Sequence, residues 1–245
     1  YAGRVVVCED ESVIADVVEG RSPGHVIQGR DVEELDSLPH PDFSLVKGLK
    51  DTSFIMPIST SRGCPFDCSF CSVTKMFGRK YRFRSAENVM GELSLRRANT
   101  FFFCDDNFTA HPQRTRTLLG LMLKKKIGQW TCQVRCDAAR DEGLLGLMSK
   151  AGCKVACIGF ESINAKTLQA YQKKQTLDDI INAIRSFHRN KIKIHGMFVL
   201  GGDDDSAKTI WDTLKFIINQ RIDTVQMMIL TPFPGTELFE RMDRE

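Results

Sequence analysis

The residues with the sharpest chemical meaning stand close together. The stretch Ser61-Arg-Gly-Cys64-Pro-Phe-Asp-Cys68-Ser-Phe-Cys71 sets three thiols at C-x3-C-x2-C spacing, with an aromatic residue, Phe70, just before the last. Three thiolates from one tight loop can each hold one iron of a 4Fe–4S cluster. The ferredoxin run, C-x2-C-x2-C-x3-C-P, supplies a fourth cysteine. Here no local fourth cysteine follows, so one iron would stay open to an exogenous ligand.

An open iron can take a chelating small molecule and do inner-sphere chemistry, for which a closed electron-transfer cluster has no use. S-adenosylmethionine offers such a chelate through its amino and carboxylate groups. One electron would then cleave its sulfonium and give a 5′-deoxyadenosyl radical, able to abstract hydrogen from an unactivated carbon. Other readings compete. Cys68 and Cys71 alone could form a thioredoxin-like redox pair, but Cys64 and the lack of a preceding Trp argue against it. A zinc knot asks for a fourth Cys or His at matching spacing, and none lies nearby. A non-catalytic iron–sulfur electron carrier or sensor is the alternative from a different class, and the missing fourth ligand speaks against it.

The elements that must position this loop follow a regular rhythm. Runs rich in β-formers occur at 54–60, 100–104, 130–135, 154–160, 193–199 and 224–229. Helical patterns lie between them at 86–97, 112–124, 142–151, 177–190 and 207–220, and a last one starts near Glu237. Thr176 with Asp179 resembles a capping box, Asp205 and Ser206 can cap the following helix, and Gly152 stands where a C′ glycine belongs. Alternating strands and helices imply an α/β fold with parallel strands. A full eightfold barrel needs ~250 residues, so a partial (β/α)6 TIM-like barrel over 53–245 fits better. A doubly wound open sheet is the rival, because periodicity does not separate the two.

Residues 1–30 read as a remnant or tail of a preceding domain, and 31–52 as a linker. Arg4 to Cys8 predicts a short buried strand, and Val13 to Val18 a short helix. One strand and one helix cannot enclose a core, so this part must lean on the main domain or on residues upstream. Lys+Arg minus Asp+Glu is 34 − 31 = +3 in 245 residues, too small a field for a general polyanion binder. No run reaches the ~18 apolar residues of a spanning helix. The nine cysteines, with no leader resembling a signal peptide, predict a reduced, cytoplasmic setting.

From 54 to 245 the chain resembles the radical S-adenosylmethionine (radical SAM) enzymes, whose hallmark is C-x3-C-x-aromatic-C after the first strand of a partial βα barrel. Cys64, Cys68, Phe70 and Cys71 match it. The resemblance implies that the three cysteines are the catalytic, metal-binding residues and that Phe70 packs near the adenine. Leu35-Asp-Ser-Leu-Pro39-x-Pro41, Thr60-Ser-Arg-Gly-Cys64-Pro-Phe-x-Cys68 and Leu230-Thr-Pro-Phe-Pro-Gly-Thr236 are similar to the branch with a cobalamin-binding domain, which includes methyltransferases and the anaerobic magnesium-protoporphyrin ester cyclase. The Asp-x-His-x-x-Gly pattern that ligates cobalt in many of them is absent here, so cobalamin is expected of the full-length protein only.

In a parallel barrel the chemistry collects at the C-terminal ends of the strands. After the second strand come Asp105 and Asp106, where many radical enzymes have Gly-Gly-Glu. They could hold an ammonium group or be solvated acids before a helix. After the third, Arg135 could fork onto a cofactor carboxylate or pair with Asp137. After the fourth, Glu161-Ser162 resembles the family's ribose- and carboxylate-binding position. Gly201-Gly202 after the fifth is a weak signal of close backbone approach.

Gly78-Arg-Lys-Tyr-Arg-Phe-Arg84 interleaves bases with aromatics, as single-stranded nucleic-acid grips do. It raises a tRNA methylthiotransferase-like alternative, but packing on the barrel is the simpler reading, and nucleic acid is not expected as a partner. Cys132-x3-Cys136 and Cys153-x3-Cys157 could be imagined as a second cluster; packing within strands is simpler. His195, inside a strand, reads as a satisfied core histidine. The function expected is reductive cleavage of S-adenosylmethionine at a 4Fe–4S cluster, acting on an organic substrate. Cobalamin-dependent methyl transfer comes first and radical cyclisation or rearrangement second, with flavodoxin or ferredoxin as the electron donor.

Overall fold

The computed structural model describes residues 3–48, 55–96 and 98–244. Phe54, which opens the first predicted strand, the last four residues of the linker (49–52), Arg97 at the end of a predicted helix and the two chain ends fall outside the described residues.

Six strands form one parallel sheet: β1 (Met56–Ile58), β2 (Thr100–Phe103), β3 (Gln129–Val134), β4 (Cys153–Glu161), β5 (Lys193–Leu200) and β6 (Thr224–Ile229). The connecting helices are α1 (Ala86–Leu95), α2 (Pro112–Lys125), α3 (Glu142–Lys150), α4 (Leu177–Arg189) and α5 (Ala207–Asn219), and α6 (Glu237–Met242) follows β6. Capping fixes several starts. Thr176 and Asp179 form a reciprocal box before α4, as do Ser206 and Thr209 before α5, and Asp141 accepts from Leu144 N–H before α3.

Strand order equals chain order, each strand pairing with its sequence neighbour. A doubly wound sheet reverses direction at a switch point, and none occurs here. Crossovers of one hand in one direction put every helix on one face, and the burial pattern records it. Phe101, Phe103, Trp130, Cys132, Val134, Ile158, Ile194 and Phe198 are buried under the helices. Their alternating neighbours Phe102, Thr131, Gln133, His195 and Met197 are only half-covered on the opposite, lumenal face. Phe103, Phe108 and Trp130 meet with ring centroids 4.9–5.3 Å apart. Each such buried ring contributes roughly 1.5–3 kcal/mol from burial alone. The resulting architecture is the α/β, partial (β/α)6 arrangement expected.

In the first 30 residues the expected strand and helix form and lean on the main domain, but the strand's burial departs from expectation. Val5–Val7 does form a strand, but it pairs in parallel with a second one, Val26–Gln28, across the helix Ile14–Val18. It is not buried: Val5 is 50% and Val7 41% exposed. A run of valines signals a strand equally well whether or not anything covers it. What ties this unit down is polar. Glu9 is buried and accepts from both Arg82 Nη atoms (3.0 and 2.5 Å) and from Val32 N–H (2.6 Å), with Arg62 at 3.0 Å. Glu11 takes the other side of Arg62. Arg62 and Arg82 belong to the short antiparallel pair Ser61–Arg62 and Arg82–Phe83, from which the cysteine loop rises. The described part of the linker packs too. Leu35 is buried, Asp36 accepts from Ser85 N–H (2.8 Å), and Phe43 lies 4.6 Å beneath the Arg96 guanidinium. Among the described residues no helix is long and apolar enough to cross a membrane.

Candidate active site

The cysteine loop leaves β1 at the C-terminal end of the sheet, and its root is set by a carboxylate. Asp105, just past β2 and fully buried, accepts from Thr60 N–H (2.6 Å), Ser61 N–H (3.0 Å) and the Thr60 hydroxyl. Burial pushes its carboxyl up, against those donors and the Arg114 charge. Asp105 therefore faces the backbone at 60–61 and lies outside the cavity lining. Ser69, in mid-loop, ties the other side: its N–H donates to Tyr171 C=O (3.1 Å), its hydroxyl to Ala170 C=O (3.0 Å), and its carbonyl accepts from Leu238 N–H (3.0 Å). The loop is held on both flanks by groups from distant elements.

Inside that frame lies a cavity of ≈ 200 Å³. Cys64, Cys68 and Cys71 line it from the loop, Asp106 from just past β2, Gln133 and Val134 from β3 and Arg135 from just past it, Gly159 and Glu161 from β4, Met197 from β5, and Phe66, Phe70, Val73 and Lys173 complete it. Of the residues expected at the site, the three cysteines, Phe70, Asp106, Arg135 and Glu161 come together. Ser162 does not reach the lining; it is buried and accepts from Asn164 N–H (3.0 Å).

Arg135 is nearly buried. Nη1 lies 3.6 Å from Cys68 Sγ, Nη2 donates to Lys173 C=O (2.6 Å), and the guanidinium lies 3.8 Å over the Phe66 ring. Asp137 stays at 3.7 Å from Nε, which has no hydrogen-bond partner. The ion pair with Asp137 is therefore present but long, and Nη1 turns to the cysteine loop. Lys173 carries no sequence signal and was missed. Its ammonium is buried and paired with Glu161 at 2.6 Å. Glu161 has φ +60°, and the register with β5 shifts there. A non-glycine in the left-handed region beside a functional cavity is the kind of local strain that the surroundings must hold. Gly159 makes the pair possible, since a Cβ there would stand 2.4 Å from Glu161 Oε1 and 2.9 Å from Lys173 Nζ.

Burial also pushes the Cys64 and Cys71 thiols up, and it does the same to the Asp106 carboxyl, with Asp105 adding to the effect. Among the described residues no three His, Cys, Asp or Glu side chains converge as ligands of a single ion. Three thiols spread around one cavity suit a polynuclear cluster, in which each thiolate takes its own iron. A bound metal would draw such thiols into the thiolate form. The donor set fits a cluster carrying a zwitterionic ligand: the acids Asp106 and Glu161 and the cations Arg135 and Lys173 line the same cavity.

The other motifs find plainer uses. In the basic strip each cation meets an acid: Arg79 with Asp67, Lys80 with Glu33, Arg82 with Glu9 and Arg84 with Glu92. Cys132, Cys136 and Cys153 are buried in the core, and Cys157 faces the lumen. His195 is no core residue; it is half-exposed on the lumenal face.

The sequence matches the profile of the Radical SAM superfamily over residues 58–217. Over 242 residues, 95% of this chain and 53% of the other, it is 31% identical to the bacteriochlorophyllide d C-12(1)-methyltransferase of Chlorobaculum tepidum. It is 29% identical to the anaerobic magnesium-protoporphyrin IX monomethyl ester cyclase of Rubrivivax gelatinosus, over 86% of this chain and 40% of that one. Among solved structures, the cobalamin-dependent S-adenosylmethionine radical enzyme OxsB with aqua-cobalamin bound superposes with a TM-score of 0.72 at 18% identity. That match covers 97% of this chain and 38% of OxsB. The chain thus spans about half the length of the curated relatives it matches.

Proposed function

The chain belongs to the Radical SAM superfamily, and on that footing we propose that Cys64, Cys68 and Cys71 hold a 4Fe–4S cluster whose remaining iron takes S-adenosylmethionine. The observation that carries this is the single cavity in which the three thiols meet Phe70, Asp106, Arg135, Glu161 and Lys173. When bound, the cluster and S-adenosylmethionine supply one-electron cleavage of the sulfonium to a 5′-deoxyadenosyl radical.

The chain's own residues bind and orient. Arg135 sets positive charge beside the Cys68 sulfur, with Nη1 3.6 Å from Sγ. Asp106 receives the ligand's ammonium group, and Arg135 and Lys173 face its carboxylate. Glu161, steadied by Lys173, accepts ribose hydroxyls, and Phe70 offers its ring to the adenine. Phe70 is itself backed by Tyr171, with centroids 5.1 Å apart. Asp105 and Ser162 act from behind, one fixing the root of the loop and the other the turn after β4.

The reaction proposed is methyl transfer to an organic substrate, with cobalamin supplied by the full-length protein and electrons by a flavodoxin or ferredoxin. The methyltransferase relative supports it, and so does the likeness to OxsB over nearly the whole chain, including the N-terminal β-α-β unit. Radical cyclisation is the second reading, favoured by the cyclase relative. Anaerobic reconstitution with iron and sulfide, followed by S-adenosylmethionine and dithionite, is expected to yield 5′-deoxyadenosine and methionine, and Cys71→Ala to yield neither. A wild-type protein that holds a cluster yet never cleaves S-adenosylmethionine would be an electron carrier. Label from the S-adenosylmethionine methyl group appearing in product separates methyl transfer from cyclisation.

A further inference from the structure

The strand register orders the lumenal face into rows. Gln133, Cys157, His195 and Thr224 are successive Cα partners across β3, β4, β5 and β6. The row above, toward the C-terminal ends, is Gly159, Met197 and Gln226; the row below is Phe102, Thr131, Val155 and Lys193. Gln133, Gly159 and Met197 line the cysteine cavity. Alternation along each strand therefore turns Cys157, His195, Thr224 and Gln226 to the same side. His195 lies two residues before Met197, one layer or ~7 Å beneath the cavity wall.

In that layer His195 is tied to two neighbours. Its Nδ1 is 2.9 Å from the Thr224 hydroxyl, and its Nε2 is 3.4 Å from Gln226 Oε1. The first is a full hydrogen bond and the second is at the limit of one. The loosely bound Nε2 and the Gln226 amide, which sits one row nearer the cavity, are thus free to turn to a ligand at little cost, while Thr224 keeps the ring oriented. Carbon surface flanks this polar ladder, from Phe102 and Val155 below and Met197 and Met228 above, with Thr131 and Lys193 completing the lower row. Burial pushes the Cys157 thiol up to about 11, so it faces the same space as a neutral thiol.

We propose that His195, with Gln226 and oriented by Thr224, is the substrate-anchoring group of this enzyme. It grips a carbonyl or carboxylate oxygen on a carbon-rich substrate and so presents the substrate's body to the cavity one layer above. This rests on the radical reading of that cavity and adds the class of substrate to it. The anchor touches substrate but not the S-adenosylmethionine site, so the two can be probed apart.

The probe is bacteriochlorophyllide d, a carbon-rich macrocycle with carbonyl and carboxylate groups, titrated by absorbance and fluorescence against the protein and its variants. His195→Leu should weaken binding about tenfold, the loss of one good hydrogen bond. His195→Gln, which keeps a donor, should stay within about threefold of wild type. Equal binding by wild type and His195→Leu would overturn the anchor, as would failure of His195→Gln to restore binding, and no binding by wild type would overturn the substrate class. Loss of 5′-deoxyadenosine formation in the wild type itself would count against the cluster reading alone, because probe binding is read without it.

Discussion

Glu9 and Arg82 stand 73 residues apart in sequence and meet as a buried fork, with Arg82 Nη2 2.5 Å from Glu9 Oε1 and Nη1 3.0 Å from Oε2. Removing one partner of such a pair leaves the other buried and uncompensated. Glu9→Ala is expected to destabilise the junction between the N-terminal unit and the cysteine loop by about 3 kcal/mol. The check is faster hydrogen exchange at 5–32 and 61–83 in the variant, with the strands β3 to β5 unchanged.

The same carboxylate predicts a pH response. Burial pushes the Glu9 carboxyl up, but hydrogen bonds from Arg82 and Val32 and the Arg62 charge outweigh that and leave it below the ordinary 4.5. A carboxyl lowered in the folded protein contributes stability above its unfolded pKa and loses it as pH falls through the folded value. Glu11, lowered chiefly by its bond to Arg62, adds in the same direction. The N-terminal unit should therefore be fully docked at pH 6–7 and loosen below about pH 4. Limited acid proteolysis would read this as cuts before residue 33, and Glu9→Gln should remove most of the pH dependence.

At the cavity, Gly159→Ala is expected to displace the Glu161–Lys173 pair, since its Cβ would fall 2.4 Å from Glu161 Oε1. Overpacking of this kind costs about 1–3 kcal/mol. S-adenosylmethionine binding by equilibrium dialysis should weaken by an order of magnitude or more while the three cysteines still take up iron. Unchanged affinity would mean that the pair does not contact the ligand.

Lys173→Met is expected to be worse than Lys173→Met combined with Glu161→Gln. The single change buries an unpaired carboxylate, and the double change removes both charges. Thermal unfolding of the two variants decides it: the single variant should melt several degrees lower.

The alternation of strands and helices was legible because each element carries its own period and its own caps, from Thr176 with Asp179 to Ser206. The three cysteines were legible from spacing alone. What sequence could not separate was Asp105 from Asp106. They are adjacent at one strand end, and one turns into the backbone at 60–61 while the other turns into the cavity; only the path of the chain decides which. Lys173 was invisible for a related reason. It sits between two left-handed residues, Gln172 and Lys174, in a turn that no pattern announces, and it matters only because Glu161 lies opposite. His195 looked like core because its strand neighbours Ile194 and Phe198 are, and the face it occupies depends on which side the helices cover.

The grip of Asp105 on Thr60 and Ser61 has a practical corollary. Both its oxygens are engaged by groups of the chain itself, so the root from which Cys64, Cys68 and Cys71 rise is fixed by protein contacts. Zinc fingers need their metal in order to fold at all. Here the anchorage is the protein's own, so chelators should strip the contents and leave the vessel standing.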